Sequence, residues 1–562
     1  MLILADPSSS PIRPAKSRGR KSAALQRAPL PEPSARSQQR IIASGLAVLF
    51  LGLAAQLTKL ATNASSVVTA AISEPVATTV SRPDIVDRNG RLLATDVEVH
   101  SLYADPFRVL DRDEAIEKLN ALLPDLDTAE LSRALSDTTK RFVWIRRQLS
   151  PRLAQAVHDL GLPGFAFRKE LRRAYPLGAL AGHILGSVNA DNRGVAGIER
   201  YIDDSVGVDP VHATRPTERP PVRLSIEVGA QAGLESELAD AVSRYHATAA
   251  AAVVLDAHTG EIVSAASLPR VEPARAADAL DPAKRDRLQS GTYELGSIFK
   301  TMTIAMALDI GQITPETVFD VTGPLTAGRF EIKDLHGAGR PLTVTEIFLH
   351  SSNVGAGMIA LNAGAEAEKS FLARAGLLSP LRTEAGPVAP PVIPDRWDRA
   401  ETITISYGHG IAVAPLQFAA SAAALVNGGS KVAPTYRLRS PGAETPVAAR
   451  VVSAKTSAAL RTLMRRNVTD PEGTGRRADV PGFEVGGKTG TADIAGPRGY
   501  REGNVISSFL AAFPASNPRY VALVLLFEPK PSAESGGKVL AGLTAAPATA
   551  RIISRLGPLL GR

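Results

Sequence analysis

The stretch Ser297-Ile-Phe-Lys300-Thr-Met-Thr-Ile-Ala-Met-Ala-Leu-Asp-Ile-Gly311 constrains the fold more than any other. Ile298, Phe299, Met302, Ile304, Met306 and Leu308 cover every side of a helix, so this helix must be buried all round. Gly311 fits its C-terminal stop. Lys300 sits in the middle of this apolar run. A buried ammonium is costly unless it has a partner or a task. Residues i and i+3 share a helical face, which puts Lys300 against Ser297. A serine hydroxyl beside a desolvated amine is a candidate nucleophile–base pair.

Ser-x-x-Lys alone is a weak signal. Ser535-Gly-Gly-Lys538 repeats it in a Gly-rich loop, with no following helix to hold the lysine against its serine. Downstream of the first copy stand Ser351-Ser352-Asn353 and Lys488-Thr489-Gly490-Thr491. These add a second hydroxyl, an amide and a second ammonium. Gly482 to Thr489 also matches the phosphate-loop pattern G-x-x-x-x-G-K-T. That loop needs a buried strand before it and a helix after it. Here A-D-V-P-G precedes and G-T-A-D-I-A-G-P-R-G follows, so the nucleotide-binding reading is set aside.

The 562 residues contain no cysteine, which excludes disulfides, thiolate metal sites and cysteine nucleophiles. Nine histidines without an HExxH argue against catalytic zinc. No metal and no cofactor is expected. The net charge of +8 is not a nucleic-acid signature, because the first forty residues carry eight Lys or Arg against two acids. The rest of the chain is nearly neutral and shows no zinc-finger spacing or basic helix.

Ile41 to Thr58 carries no charge and is just long enough to span a membrane. The basic tail before it is too long for a signal peptide. The reading is an uncleaved single-pass anchor in the inner membrane, with a cytoplasmic N-terminus and everything after Lys59 on the periplasmic side. Four regions are expected: a disordered tail over 1–40, the anchor over 41–58, an N-terminal domain over 59–222 and a second domain over 223–562. The segment 209–221 reads as a linker. In the second domain, 251–256 and 261–268 read as a hairpin, and 483–492, 505–513 and 520–527 as three strands. Helices dominate from Ser297 to about Asn467, and a last helix runs from Ala546 to Leu559. Strands from both ends must meet in one sheet beside those helices, an α+β architecture.

Together, the three short motifs are the set of penicillin-binding proteins and class A β-lactamases. The chain resembles the class B penicillin-binding proteins, in particular the septal, FtsI-type peptidoglycan D,D-transpeptidases. Supporting stretches are D-I-V-D-R-N-G-R-L-L-A, S-L-Y-A-D-P, R-A-Y-P-L-G, G-V-A-G-I-E, S-S-N-V-G, Y-G-H-G-I and S-F-L-A-A-F-P. The resemblance implies a membrane-anchored pedestal, dimerisation-like domain. It also implies a transpeptidase domain with a β-lactamase-like antiparallel five-stranded sheet. It further implies that Ser297 attacks the penultimate D-Ala carbonyl, Lys300 is the base, Ser351 relays the proton to the leaving amine, and Asn353 holds the peptide and orients Lys300. Lys488 would supply positive potential, Thr489 and Thr491 would bind the substrate carboxylate, and Gly490 would let the substrate lie close to the strand. The oxyanion hole would be the N–H groups of Ser297 and Thr491. Implied partners are D-Ala-D-Ala stem peptides, β-lactams, the inner membrane, a SEDS-type glycosyltransferase and other division proteins.

Two departures are Leu295 where the family usually has proline, and Arg82-Pro83 where Arg-Gly is common. The alternatives are the elongation-specific sister enzyme, a penicillin-sensing or β-lactamase-like acyl-serine protein, and a non-enzymatic scaffold. Three intact motifs argue against the scaffold. His409 and His183 read as structural residues, His409 lining a loop near the cleft, and Asp256 as a turn residue.

Overall fold

The computed structural model describes residues 44–56, 59, 82–206, 219–327, 330–334, 337–440, 449–496 and 499–561. The chain divides into two units, Met1–Val76 and Ala77–Arg562. In the first, residues 44–56 are helical and expose Leu46, Val48, Leu49, Phe50, Leu51 and Leu53. Among the described residues no helix is long and apolar enough to cross a membrane. The ends of the expected 41–58 span and the whole 1–40 tail lie outside the described residues.

The second unit begins with a domain built on a long strand, β1 (Leu92–Ala104). It is flanked antiparallel on both sides, by β2 (Val143–Leu149) and β3 (Phe165–Ala174). Helices α1 (Arg112–Leu122), α2 (Thr128–Ser136) and α3 (Pro151–Asp159) start at Asp111, Asp127 and Ser150. Each of these accepts a backbone N–H of the first turn. Their buried Leu119, Leu131, Leu135 and Val157 share a core with Leu102 and Ala104 of β1.

Two of the stretches that carried the resemblance meet in one buried ion cluster. Arg82 is fully buried, pairs with Glu199 (2.8 Å) and Asp203 of helix α4 (Gly197–Val206), and donates to the Asn192 carbonyl. Arg173 of β3 pairs with the other oxygen of Glu199 (2.7 Å) and with Asp96 (3.2 Å). Removing one member would leave a buried charge unpaired, which costs far more than the pairs contribute net. Ile85–Val86 pairs parallel with Val222–Arg223. The expected boundary at 222/223 therefore falls inside a strand that closes the first domain's sheet, because the returning chain supplies the hydrogen-bond partners that Ile85–Val86 needs. The expected 209–221 linker falls mostly outside the described residues.

The second domain holds strands β4 (Ala249–Asp256), β5 (Ile262–Leu268), β6 (Gly486–Gly496), β7 (Gly499–Phe513) and β8 (Tyr520–Phe527). They form one antiparallel sheet in the order β6-β7-β8-β4-β5. Strands from both ends of the domain do meet in one sheet. Along β4, Ala250, Ala252 and Val254 pack under α5 (Val228–Arg244) and α11 (Ala545–Leu556). Ala251, Val253 and Leu255 face the opposite core, shared with α6 (Lys300–Asp309) and α9 (Pro415–Val426). Both faces are covered, which is why β4 and β8 read as unbroken apolar runs.

Every residue of α6 from Lys300 to Ala307 is buried. Ser297 lies in the 3₁₀ turn Gly296–Phe299 that leads into α6, not in the α-helix itself. The tighter turn serves because Leu295-Gly296 must pack against β6. Gly296 has φ +59°, and a Cβ there would come within 2.7 Å of the Thr491 carbonyl. The expected C-terminal helix spans Ala545–Leu556. Among the described residues strand β6 pairs only with β7, so it is the edge strand of the sheet.

Candidate active site

Four segments converge on a cleft of about 1160 Å³. The turn before α6 brings Ser297. The end of α7 (Val344–His350) and the start of α8 (Asn353–Ala363) bring Ser351, Ser352 and Asn353. The edge strand β6 brings Thr489, Thr491 and Asp493, and the segment after α10 (Ala454–Thr469) brings Thr474.

Lys300 is the hub. Its Nζ lies 2.7 Å from Ser297 Oγ, 2.7 Å from Asn353 Oδ1, 2.9 Å from the Ser351 carbonyl and 3.2 Å from Ser351 Oγ. Two of these, the amide oxygen and the carbonyl, can only accept. A neutral amine has two N–H groups and one lone pair. Donating both N–H groups to those acceptors leaves the lone pair for the Ser297 hydroxyl. Burial drives the Lys300 pKa well below that of free lysine. The Lys488 charge lowers it further, and Asp334 opposes with a smaller upward pull. Lys488 is itself fully buried, and that desolvation lowers its pKa to about 7.

Backbone geometry sets the SxN pair. Ser351 ends α7 at φ +59°, in the left-handed region, and turns the chain so that Ser352 caps α8. Asp334 completes that cap: it accepts from Ser352 Oγ (2.6 Å), Asn353 N (2.5 Å) and Val354 N (3.0 Å). No motif in the sequence pointed to Asp334, since a lone acid after a short hairpin carries no signal. The same holds for Thr474, which accepts from Thr489 Oγ1 at 2.8 Å, and for Asn467, which donates to the Gly487 carbonyl at 2.9 Å.

One sequence reading changes. Gly490 was expected to make room for substrate. A Cβ there would instead meet Ser508 Oγ at 2.5 Å and the Leu295 carbonyl at 2.7 Å, on the face turned toward the nucleophile segment. The alternation of the strand decides this: Thr489, Thr491 and Asp493 face the cleft, and Gly490 faces inward. Ser535 is fully buried and bonded to Ser532, while Lys538 reaches the cleft wall. That lysine touches its serine only through the backbone, N to O at 3.3 Å. The phosphate-loop match runs from a turn into the first residues of β6, with strand β7 rather than a helix after it. Among the described residues no group of His, Asp and Glu could hold a metal ion. His409 lines the cleft, with Nδ1 at 3.9 Å from Glu294. His183 bonds the Lys284 carbonyl, and Asp256 accepts the N–H groups of its own turn.

Comparison with known proteins agrees with this geometry. Residues 250–549 match the penicillin-binding protein transpeptidase domain and residues 77–208 the penicillin-binding protein dimerisation domain. The probable peptidoglycan D,D-transpeptidase FtsI of Caulobacter vibrioides is 39% identical over 488 residues, covering 86% of this chain and 82% of its own. The peptidoglycan D,D-transpeptidase FtsI of Escherichia coli K12 is 31% identical, covering 82% of this chain and 81% of its own. Among solved structures, the transpeptidase domain of Burkholderia pseudomallei penicillin-binding protein 3 matches with TM-score 0.54 at 32% identity, covering 60% of this chain and 96% of that one. The chain belongs to the class B penicillin-binding proteins of the FtsI type.

Proposed function

We propose that this protein is a peptidoglycan D,D-transpeptidase that cross-links stem peptides at the division septum through an acyl-enzyme on Ser297. One contact carries the proposal: a fully buried lysine with a depressed pKa, 2.7 Å from a serine hydroxyl that opens on the cleft. Lys300 takes the Ser297 proton as Oγ attacks the penultimate D-Ala carbonyl. Ser351, in contact with Lys300, passes that proton to the leaving amine. Asn353 holds Lys300 in place and faces the peptide. The donor strand adds to the edge strand β6, where Thr489 and Thr491 offer hydroxyls to its carboxylate and Lys488 the positive potential. The N–H groups of Ser297 and Thr491 form the oxyanion hole. β-Lactams acylate the same serine. Incubation with a β-lactam should raise the intact mass by one drug equivalent, with the adduct on the peptide containing Ser297. An unmodified protein, or an adduct elsewhere, would refute the assignment.

The enzyme works as a single-pass inner-membrane protein, with residues 1–40 cytoplasmic, 41–58 in the membrane and both later domains periplasmic. The exposed apolar side chains of residues 44–56 support this. A SEDS-type glycosyltransferase and other division proteins are the expected partners. A periplasm-only reporter fused after residue 70 should be active and one fused after residue 30 inactive. The reverse pattern would overturn the topology.

A further inference from the structure

The second half of the reaction needs a proton acceptor beyond those that acylate Ser297. A primary alkylamine is protonated at neutral pH, its pKa near ~10. To become an amide nitrogen it must lose two protons, one before attack and one as the C–N bond forms. Ser297 Oγ takes back only one. By microscopic reversibility, the acceptor nitrogen occupies the place the leaving amine vacated, on the Ser351 side of the cleft.

Beside Ser351 stands His350, the last residue of α7. It lines the same cleft as Ser297, Ser351, Thr474 and Thr489. Its Nε2 is 3.4 Å from Oε2 of Glu472, which belongs to the loop after α10 that also carries Thr474. That Nε2 makes no hydrogen bond among the described residues. An imidazole on the cleft wall with a carboxylate near it is a candidate general base. The other cleft histidine, His409, is placed differently. Its loop is strapped to the nucleophile segment through Gly296 N to the Gly408 carbonyl and Gly410 N to Glu294. It neighbours Glu294, and the charges of Asp493 and Lys300 act on it.

We propose that His350, whose Nε2 lies beside the Glu472 carboxylate, is the general base that deprotonates the acceptor amine, a primary ammonium carried on a second peptide. This rests on the transpeptidase reading above. The ammonium gives one proton to the imidazole, which releases it to solvent. The neutral amine attacks the ester carbonyl; the C–N bond forms and the C–Oγ bond breaks. The second amine proton passes through Ser351 and Lys300 to Ser297 Oγ.

The test loads the full chain with a thioester donor and offers two acceptors at pH 7: a D-amino acid, whose amine is protonated, and methoxyamine, which is already neutral. In His350→Gln, transfer to the D-amino acid should fall ~10²-fold, with transfer to methoxyamine unchanged. A structural role would lower both alike. Equal losses, or no loss, overturn the proposal. Should His350→Gln fail to fold, Glu472→Gln carries the same comparison: a selective loss with the D-amino acid supports it and equal rates refute it. If the wild-type protein does not acylate with the thioester at all, the transpeptidase reading itself fails.

Discussion

Ser297→Ala should abolish labelling by fluorescent penicillin, while Ser535→Ala should leave it intact. The two serines share the same local pattern, so the contrast isolates what tertiary structure adds. Ser297 opens on the cleft with Lys300 Nζ at 2.7 Å. Ser535 is buried, its hydroxyl donates to the Ser532 carbonyl at 3.1 Å, and no ammonium reaches it. Without an Oγ at 297 no covalent bond can form, so the expected effect is complete loss. Labelling that survives Ser297→Ala, or that disappears with Ser535→Ala in a folded protein, would overturn the nucleophile assignment.

Lys300→Arg should lower acylation of Ser297 by at least ~10²–10⁴-fold, the usual contribution of a general base. Arginine keeps the charge but cannot release its proton, and its fork does not fit a place shaped for one nitrogen. For lysine, the proton-free base is available well below pH 10.5, because burial and Lys488 depress its pKa. Acylation by the wild type should therefore rise with pH as Lys300 loses its proton, and level off above its pKa. The arginine variant should lack this rise. A buried guanidinium could also disturb the fold, so the thermal melt of the fragment from residue 60 onward is the control. A folded Lys300→Arg protein that acylates near the wild-type rate would remove Lys300 from the mechanism.

Much of the catalytic centre was legible in the chain. An apolar run on all sides of a helix could only be buried, and a lysine inside it needed a task. The i, i+3 spacing brought its nitrogen to the serine even though the local turn is 3₁₀. Short-range geometry survives such changes, because three residues of helix of either kind return to nearly the same face. The strands that became β4 and β8 were likewise legible as strands of one sheet beside helices.

Other features depended on partners distant in sequence. Asp334 caps α8 from a separate hairpin, Thr474 holds Thr489 across the cleft, and Glu472 meets His350 from the loop after α10. No periodicity joins such pairs, since each arises where two segments are packed by a shared core. Gly490 shows the same limit: its neighbours in sequence suggested space for a ligand, but the pleat of β6 turned it toward Leu295 and Ser508. The sequence by itself determined which helix is buried, which lysine it hides and which serine that lysine touches, because those follow from spacing along one element. Only the tertiary structure decided which of two Ser-x-x-Lys copies opens on a cleft and what caps, holds and faces it, because hydrogen bonds and desolvation act on neighbours in space.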